Sequence, residues 1–168
     1  MFKNRFFWVA ALIGLALDRL TKILFVVYIF PPVLNTTIPV IPGVFHFTYA
    51  LNSGAAFSLF PQGASWLRWL SLGVSIGLMA LAWFGPVLNR WEQAGYGFVL
   101  AGALGNGIDR FLLNEVVDFL EFRLINFPIF NLADVFINVG IICLLIATFT
   151  KEPRSRSNAE KESGGERG

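Results

Sequence analysis

The chain has 168 residues, 55% of them hydrophobic and only 14% charged, with a mean hydropathy of +0.63. That length holds one domain, and the deficit of charge is too large for an ordinary soluble globule. The same composition and a net charge of only +2 exclude disorder, collagen-like repeats and a nucleic-acid-binding domain.

A bilayer core about 30 Å thick needs roughly 20 apolar residues in a helix. Four blocks meet that demand, so the predicted fold is an all-α membrane protein with four transmembrane helices. The first runs from about Phe6 to Phe30 and ends at Pro31-Pro32. It is too long for a signal peptide, contains Asp18, Arg19 and Lys22, and is followed by no small-x-small cleavage site. A loop from Pro31 to Gly63 follows, inside a stretch from Ile23 to Leu67 without a single Asp, Glu, Lys or Arg. A loop so apolar is expected to lie on the membrane surface. Within it, Val44 to Tyr49 reads as a short strand, and Pro39, Pro42 and Gly43 suit turns. The second span runs from about Ala64 to Phe84 and ends at Gly85-Pro86, the third from about Ala94 to Leu113, and the fourth from about Leu132 to Thr150. Gly73-x-x-x-Gly77 and Ala101-x-x-x-Gly105 place small residues on one helix face and are expected to be packing faces. Residues 1–150 read as a single membrane domain. Residues 151–168, rich in Ser, Gly, Glu, Lys and Arg, read as a disordered tail.

Lys and Arg set the orientation. Lys3 and Arg5 precede the first span, Arg90 lies between the second and third, and the tail carries Lys151, Arg154, Arg156, Lys161 and Arg167. Both termini are therefore expected in the cytoplasm, with the two longer loops facing outward.

Ionisable and amide groups at membrane depth are costly, so each is a functional hypothesis. Asp18 and Lys22 are four residues apart and share a helix face, either as a buried structural pair or as part of a site. Asn52-Ser53-Gly54-Ala55-Ala56-Phe57-Ser58 offers an amide beside small residues, which suits either a packing turn or a slot for another backbone. Asn106 and Arg110 share one helix face, with Asp109 beside them, at the outward end of the third span. Asp118 follows that span and Asp134 opens the fourth, so both acids fall at the same outward depth. Each alone is explained by a loop acid or a helix-start acid. Together they form a candidate carboxylate dyad. Two carboxyls about 3 Å apart share one proton, so one can take a proton from water while the other donates to a scissile carbonyl. His46 is the lone histidine and Cys143 the lone cysteine, which leaves no Ser-His, Cys-His or transition-metal arrangement. No metal or other cofactor is expected.

These residues carry a resemblance. The chain resembles the lipoprotein signal peptidases (signal peptidase II), bacterial membrane aspartyl proteases, over nearly all of residues 6–150. Asp18-x-x-Thr21-Lys22, Asn52-x-Gly54-Ala55-Ala56-Phe57-Ser58, Gly102-Ala103-Leu104-Gly105-Asn106-x-Ile108-Asp109-Arg110, Val117-Asp118-Phe119 and Phe127-Pro128-x-Phe130-Asn131-x-Ala133-Asp134 match that family's motifs in order. The stretch between Asp118 and Asp134 is short for the family. The resemblance implies Asp118 and Asp134 as the catalytic pair and Asn52, Gly54, Asn106, Arg110 and Asn131 as site-lining residues. It implies Asp18, Lys22 and Asp109 as supporting polar residues. It further implies a small periplasmic β-sheet cradle at the outer membrane surface and a location in the bacterial inner membrane. The implied substrate is a diacylglyceryl-modified prolipoprotein cut just before its lipidated cysteine, met by a monomer in contact with membrane lipid. A non-enzymatic ion or proton transporter, or a membrane assembly partner, is the alternative.

Overall fold

The computed structural model describes residues 3–29, 33, 36–54, 64–125 and 127–150. Four long helices and a three-stranded sheet make up the fold: α1 (Arg5–Leu24), β1 (Thr37–Ile41), β2 (Phe45–Asn52), α2 (Ala64–Phe84), α3 (Arg90–Leu113), β3 (Val116–Phe122) and α4 (Leu132–Thr150). A π-helical turn, Phe25–Ile29, continues α1. The tail beyond Thr150 and the stretch Ala55 to Ser58 lie outside the described residues.

The ends of α2 and α4 are those expected from the apolar blocks. α3 instead begins four residues earlier than its apolar block, at Arg90. Asn89 accepts from the Glu92 backbone N–H, and Glu92 accepts in return from that of Asn89. This reciprocal cap lets a polar first turn form where hydrophobicity gives no signal. The start of α1 is closed by residues distant in sequence. Buried Asn4 donates to the carbonyl oxygens of Ala82 and Pro86 and accepts from the Leu88 N–H, while Gln93 accepts from the Phe6 N–H. These side chains satisfy backbone groups that helix ends would otherwise leave bare.

α3 is central and packs against α1, α2 and α4. Its small residues permit the close approach. A Cβ on Gly14 of α1 would sit 2.7 Å from the Ala101 Cβ, and one on Gly140 of α4 would sit 2.7 Å from the Gly95 carbonyl oxygen. Ala101-x-x-x-Gly105 is therefore a packing face as expected. Gly73 and Gly77 are not: a Cβ on either meets nothing within 4 Å. Their spacing is right, but that face of α2 has no helix against it. All four helices present large apolar side chains outward, among them Leu20, Ile76, Leu112 and Ile142. By length and composition, Trp66–Phe84 and Leu132–Thr150 can each cross a membrane.

The sheet is antiparallel, in the order β1-β2-β3. Pro39 lies within β1 rather than in a turn; β1 is an edge strand, where a missing N–H is tolerated. The hairpin turns at Gly43, whose φ of 74° favours glycine. β3 has no counterpart among the expected elements. Val117 and Phe119 of β3 join Phe25 in one core, with the Phe25 and Phe119 rings stacked at 4.3 Å. The π-helical turn thereby fastens the sheet to the bundle. Asp118 lies between those two residues and, by strand alternation, faces the opposite way.

Close packing at α3–α4 generates a prediction. Gly140→Ala should lower the Tm of detergent-solubilised protein, by about 1–3 kcal/mol of overpacking. Gly77→Ala should leave it unchanged or slightly raised, because the new methyl meets open space. Equal losses for both would contradict this helix arrangement.

Candidate active site

Four buried or half-buried charges lie at the centre of the bundle. Asp18 and Lys22 of α1 pair at 3.2 Å, as their spacing predicts. Lys22 also meets Asp109 of α3 at 2.7 Å. Arg19 meets Asp18 at 2.8 Å and Asp109 at 2.7 Å, and donates to the Gly105 carbonyl oxygen at 3.0 Å. The result is a closed quartet of two acids and two cations. Arg19 was visible as a charge in an apolar block, but nothing in the linear order assigned it this bridging place. A Cβ on Gly105 would fall 2.5 Å from the Asp18 Oδ2, so only glycine lets α1 carry its carboxylate this close to α3. Asp109 does not join Asn106 and Arg110 in one patch, as expected from the sequence. It turns toward α1, while the other two line a cavity.

The quartet reaches two backbone positions of special value. Asp18 Oδ1 accepts from the Ala133 N–H at 3.1 Å, and Asp109 Oδ2 from the Val117 N–H at 3.3 Å. Ala133 and Val117 are the residues immediately before Asp134 and Asp118. Each acid of the candidate dyad is thus held at its N-terminal neighbour by an acid of the quartet.

Asparagines connect the quartet to the dyad. Lys22 Nζ donates to Asn106 Oδ1 at 3.0 Å, which fixes the direction of that amide. Asn106 Nδ2 then donates to Asp134 Oδ1 at 2.8 Å. Asn131, fully buried, donates to Asp118 Oδ1 at 2.6 Å and to Asn106 Oδ1 at 3.1 Å. Asn131 Oδ1 also accepts from the Asp134 N–H, and Asp134 Oδ2 from the Asn131 N–H, each at 3.1 Å. That reciprocal pair is a capping box at the start of α4. Asn52 Nδ2 donates to Asp118 Oδ2 at 3.1 Å, and Asn52 Oδ1 accepts from the Gly54 N–H at 2.9 Å. Arg110 Nη2 donates to the Gly54 carbonyl oxygen at 3.3 Å, whereas its buried Nε has no hydrogen-bond partner among the described residues. All ten residues expected from the sequence therefore belong to one connected polar system.

Asp118 and Asp134 face a cavity of about 750 Å³. Asn52, Asn106 and Arg110 line its polar end; Phe122, Phe127, Ile129, Val139 and Ile142 are among its apolar walls. Burial pushes Asp118 up to about 7, and the charge of Asp134 pushes the same way. The amides of Asn52 and Asn131, and Lys22, oppose the shift. A carboxyl so placed holds a proton near neutrality beside a second carboxyl, the condition for paired acid and base chemistry. His46 is apart from this cavity, with Nε2 accepting from the Gly43 N–H, and Cys143 is buried in α4. Among the described residues no group of three or more His, Cys, Asp or Glu side chains is placed to hold a metal ion.

The model of the signal peptidase (SPase) II family matches residues 10–150. The chain belongs to the signal peptidase II family. The lipoprotein signal peptidase of Microcystis aeruginosa is 67% identical over 152 residues, covering 90% of this chain and 97% of that protein. That of a Cyanothece species is 68% identical over 160 residues, covering 95% and 92%. A bacterial membrane enzyme solved by the in meso method at 2.3 Å resolution superposes with a TM-score of 0.75. It is 28% identical, covering 88% of this chain and 93% of that one. Membership in a family of aspartic peptidases makes this chain an enzyme and leaves the transporter and assembly readings without support.

The quartet yields a direct test. Lys22→Met leaves two buried carboxylates facing one guanidinium and should cost about 3–5 kcal/mol, seen as a large fall in Tm. Adding Asp109→Asn should recover much of that loss. An unchanged Tm for Lys22→Met would show that the quartet is not what holds the helices in place.

Proposed function

We propose that this chain is a membrane aspartyl endopeptidase that removes the signal peptide from diacylglyceryl-modified prolipoproteins, cutting just before the lipidated cysteine. One observation carries the reading. Asp118 and Asp134 are joined through Asn131 and Asn106 and line, with a few other polar side chains, a cavity whose remaining walls are apolar. A lipid-bearing peptide needs both halves of such a site: acids for the bond and hydrocarbon for the acyl chains.

In the proposed mechanism the pair shares one proton. Asp118, in the more proton-retaining environment, donates to the scissile carbonyl oxygen, and ionised Asp134 takes a proton from the attacking water. The tetrahedral carbon then collapses: its hydroxyl proton returns to Asp118, Asp134 passes the proton taken from water to the cysteine nitrogen, the C–N bond breaks, and the signal peptide leaves with a new terminal carboxyl. Asn52 and Asn131 hold the Asp118 carboxyl in place, and Asn106 holds that of Asp134. The unpartnered Nε–H of Arg110 is free to meet a substrate carbonyl, beside the Gly54 backbone that its Nη2 secures. Asp18, Lys22 and Asp109 support the pair from behind.

All four helices are read as membrane spans. α1 and α3 carry their charges inward to the quartet, and their outward faces are apolar. The Lys and Arg distribution puts both termini in the cytoplasm and the cavity with its sheet toward the outer face. Residues 1–150 act as one membrane peptidase domain in contact with lipid, working as a monomer, with 151–168 a disordered cytoplasmic tail.

A cleavage assay with a diacylglyceryl-modified prolipoprotein tests this. Asp118→Asn and Asp134→Asn should each fold and each lose at least about 10²–10⁴-fold in kcat/KM. Near-normal activity in either would overturn the aspartyl mechanism. Activity of the unmodified enzyme should also fall as pH rises through about 7, because the proton that Asp118 donates is lost there. A profile rising through that range would contradict the assignment of Asp118 as the donor.

A further inference from the structure

Asn138 stands out on α4. Between Asp134 and Thr148 it is the only amide, hydroxyl or charged side chain in the helix. It lines the same cavity, together with Val135, Val139 and Ile142. It is exposed there. Asn138 Nδ2 donates to the Asp134 carbonyl oxygen at 2.9 Å. That bond fixes the side chain and uses one of its two N–H groups. The second N–H and Oδ1 have no hydrogen bond among the described residues. An amide left part-satisfied on a hydrocarbon-facing wall is a cost unless a ligand completes it.

Its position says what that ligand is. Asn138 follows Asp134 by one helical turn, about 5.4 Å along the axis. A peptide cut at Asp118 and Asp134 must be unwound at the scissile bond, which bares backbone carbonyls that hydrocarbon cannot satisfy. The ester carbonyls of a diacylglyceryl group near the same bond have the same need. We propose that Asn138 is a substrate-binding residue whose free N–H donates to a carbonyl oxygen of the lipidated substrate, one turn deeper than the bond that is cut. This rests on the peptidase reading above.

Steady-state kinetics of Asn138→Leu and Asn138→Ser test it, with a diacylglyceryl substrate and its dialkyl ether analogue. Serine keeps a hydrogen bond to the carbonyl four residues earlier but cannot reach across the cavity. Both variants should raise KM about tenfold on the diacyl substrate, the effect of one lost hydrogen bond in an apolar setting, with kcat within about twofold. If the ester is the partner, the effect disappears with the ether analogue; if a peptide carbonyl is the partner, it is the same with both. An unchanged KM, a fall in kcat alone, or a serine variant equal to wild type beside an impaired leucine variant overturns the proposal. Asp118→Asn is run in parallel. If it retains full activity, or if wild type does not cleave, the peptidase reading has failed rather than the role of Asn138 alone.

Discussion

The structure depends on keeping four charges inside a helix bundle. Asp18, Arg19, Lys22 and Asp109 would each be costly at membrane depth alone, and together they neutralise one another. Lys22 has three donors, and Asp18, Asp109 and Asn106 take them. The Asp18 and Asp109 carboxylates spend their remaining accepting capacity on the Ala133 and Val117 N–H groups. The helix that begins with Asp134 and the strand that holds Asp118 are thus tied to the same centre. Removing one member would release more than one ion pair, since the other bonds share its atoms.

This arrangement separates two tasks within a short chain. The quartet fixes backbone, and the asparagines fix side chains. Asn106 is oriented by a cation on its oxygen and so presents its N–H to Asp134. Asn131 caps α4 with one end and holds Asp118 with the other. The amides of Asn52 and Asn131 donate to the Asp118 carboxyl and favour its ionised form, but without a full charge they only partly offset burial and the charge of Asp134. That suits a pair in which burial and mutual repulsion keep a proton near neutral pH.

Much of this was legible in the sequence, and the failures have physical causes. α2 and α4 are predominantly apolar, with few interruptions such as Arg68, Asp134 and Asn138, so their hydropathy marked their ends. α3 begins with Arg90-Trp91-Glu92-Gln93, where capping rather than hydrophobicity starts the helix. No element was expected over β3, because its partners in β2 are distant in sequence and leave no local mark. Pro39 suggests a turn until the strand is known to be an edge. Gly73 and Gly77 have the spacing of a packing face but no partner, since spacing alone cannot say what lies opposite. Asp18, Lys22, Asn106, Asp109, Arg110, Asp118 and Asp134 were conspicuous as charge and amide groups in or beside apolar blocks, whereas Asn131 was singled out only by the family resemblance. The i,i+4 pair of Asp18 and Lys22 was legible, but the partners of Asp109 were not, because its turn toward α1 rather than toward Arg110 is decided by Arg19 and Lys22 on another helix.

The central claim is that burial and the neighbouring acid hold a proton on Asp118 near neutral pH. The most direct measurement is a carboxyl titration of the full-length enzyme by ¹³C NMR with labelled aspartate, with Asp118→Asn to assign the signal. The account predicts one carboxyl that titrates near 7 and vanishes in that variant. If the signal lost in Asp118→Asn titrates instead near 4, the ordinary range of an aspartate, the shared-proton pair is contradicted.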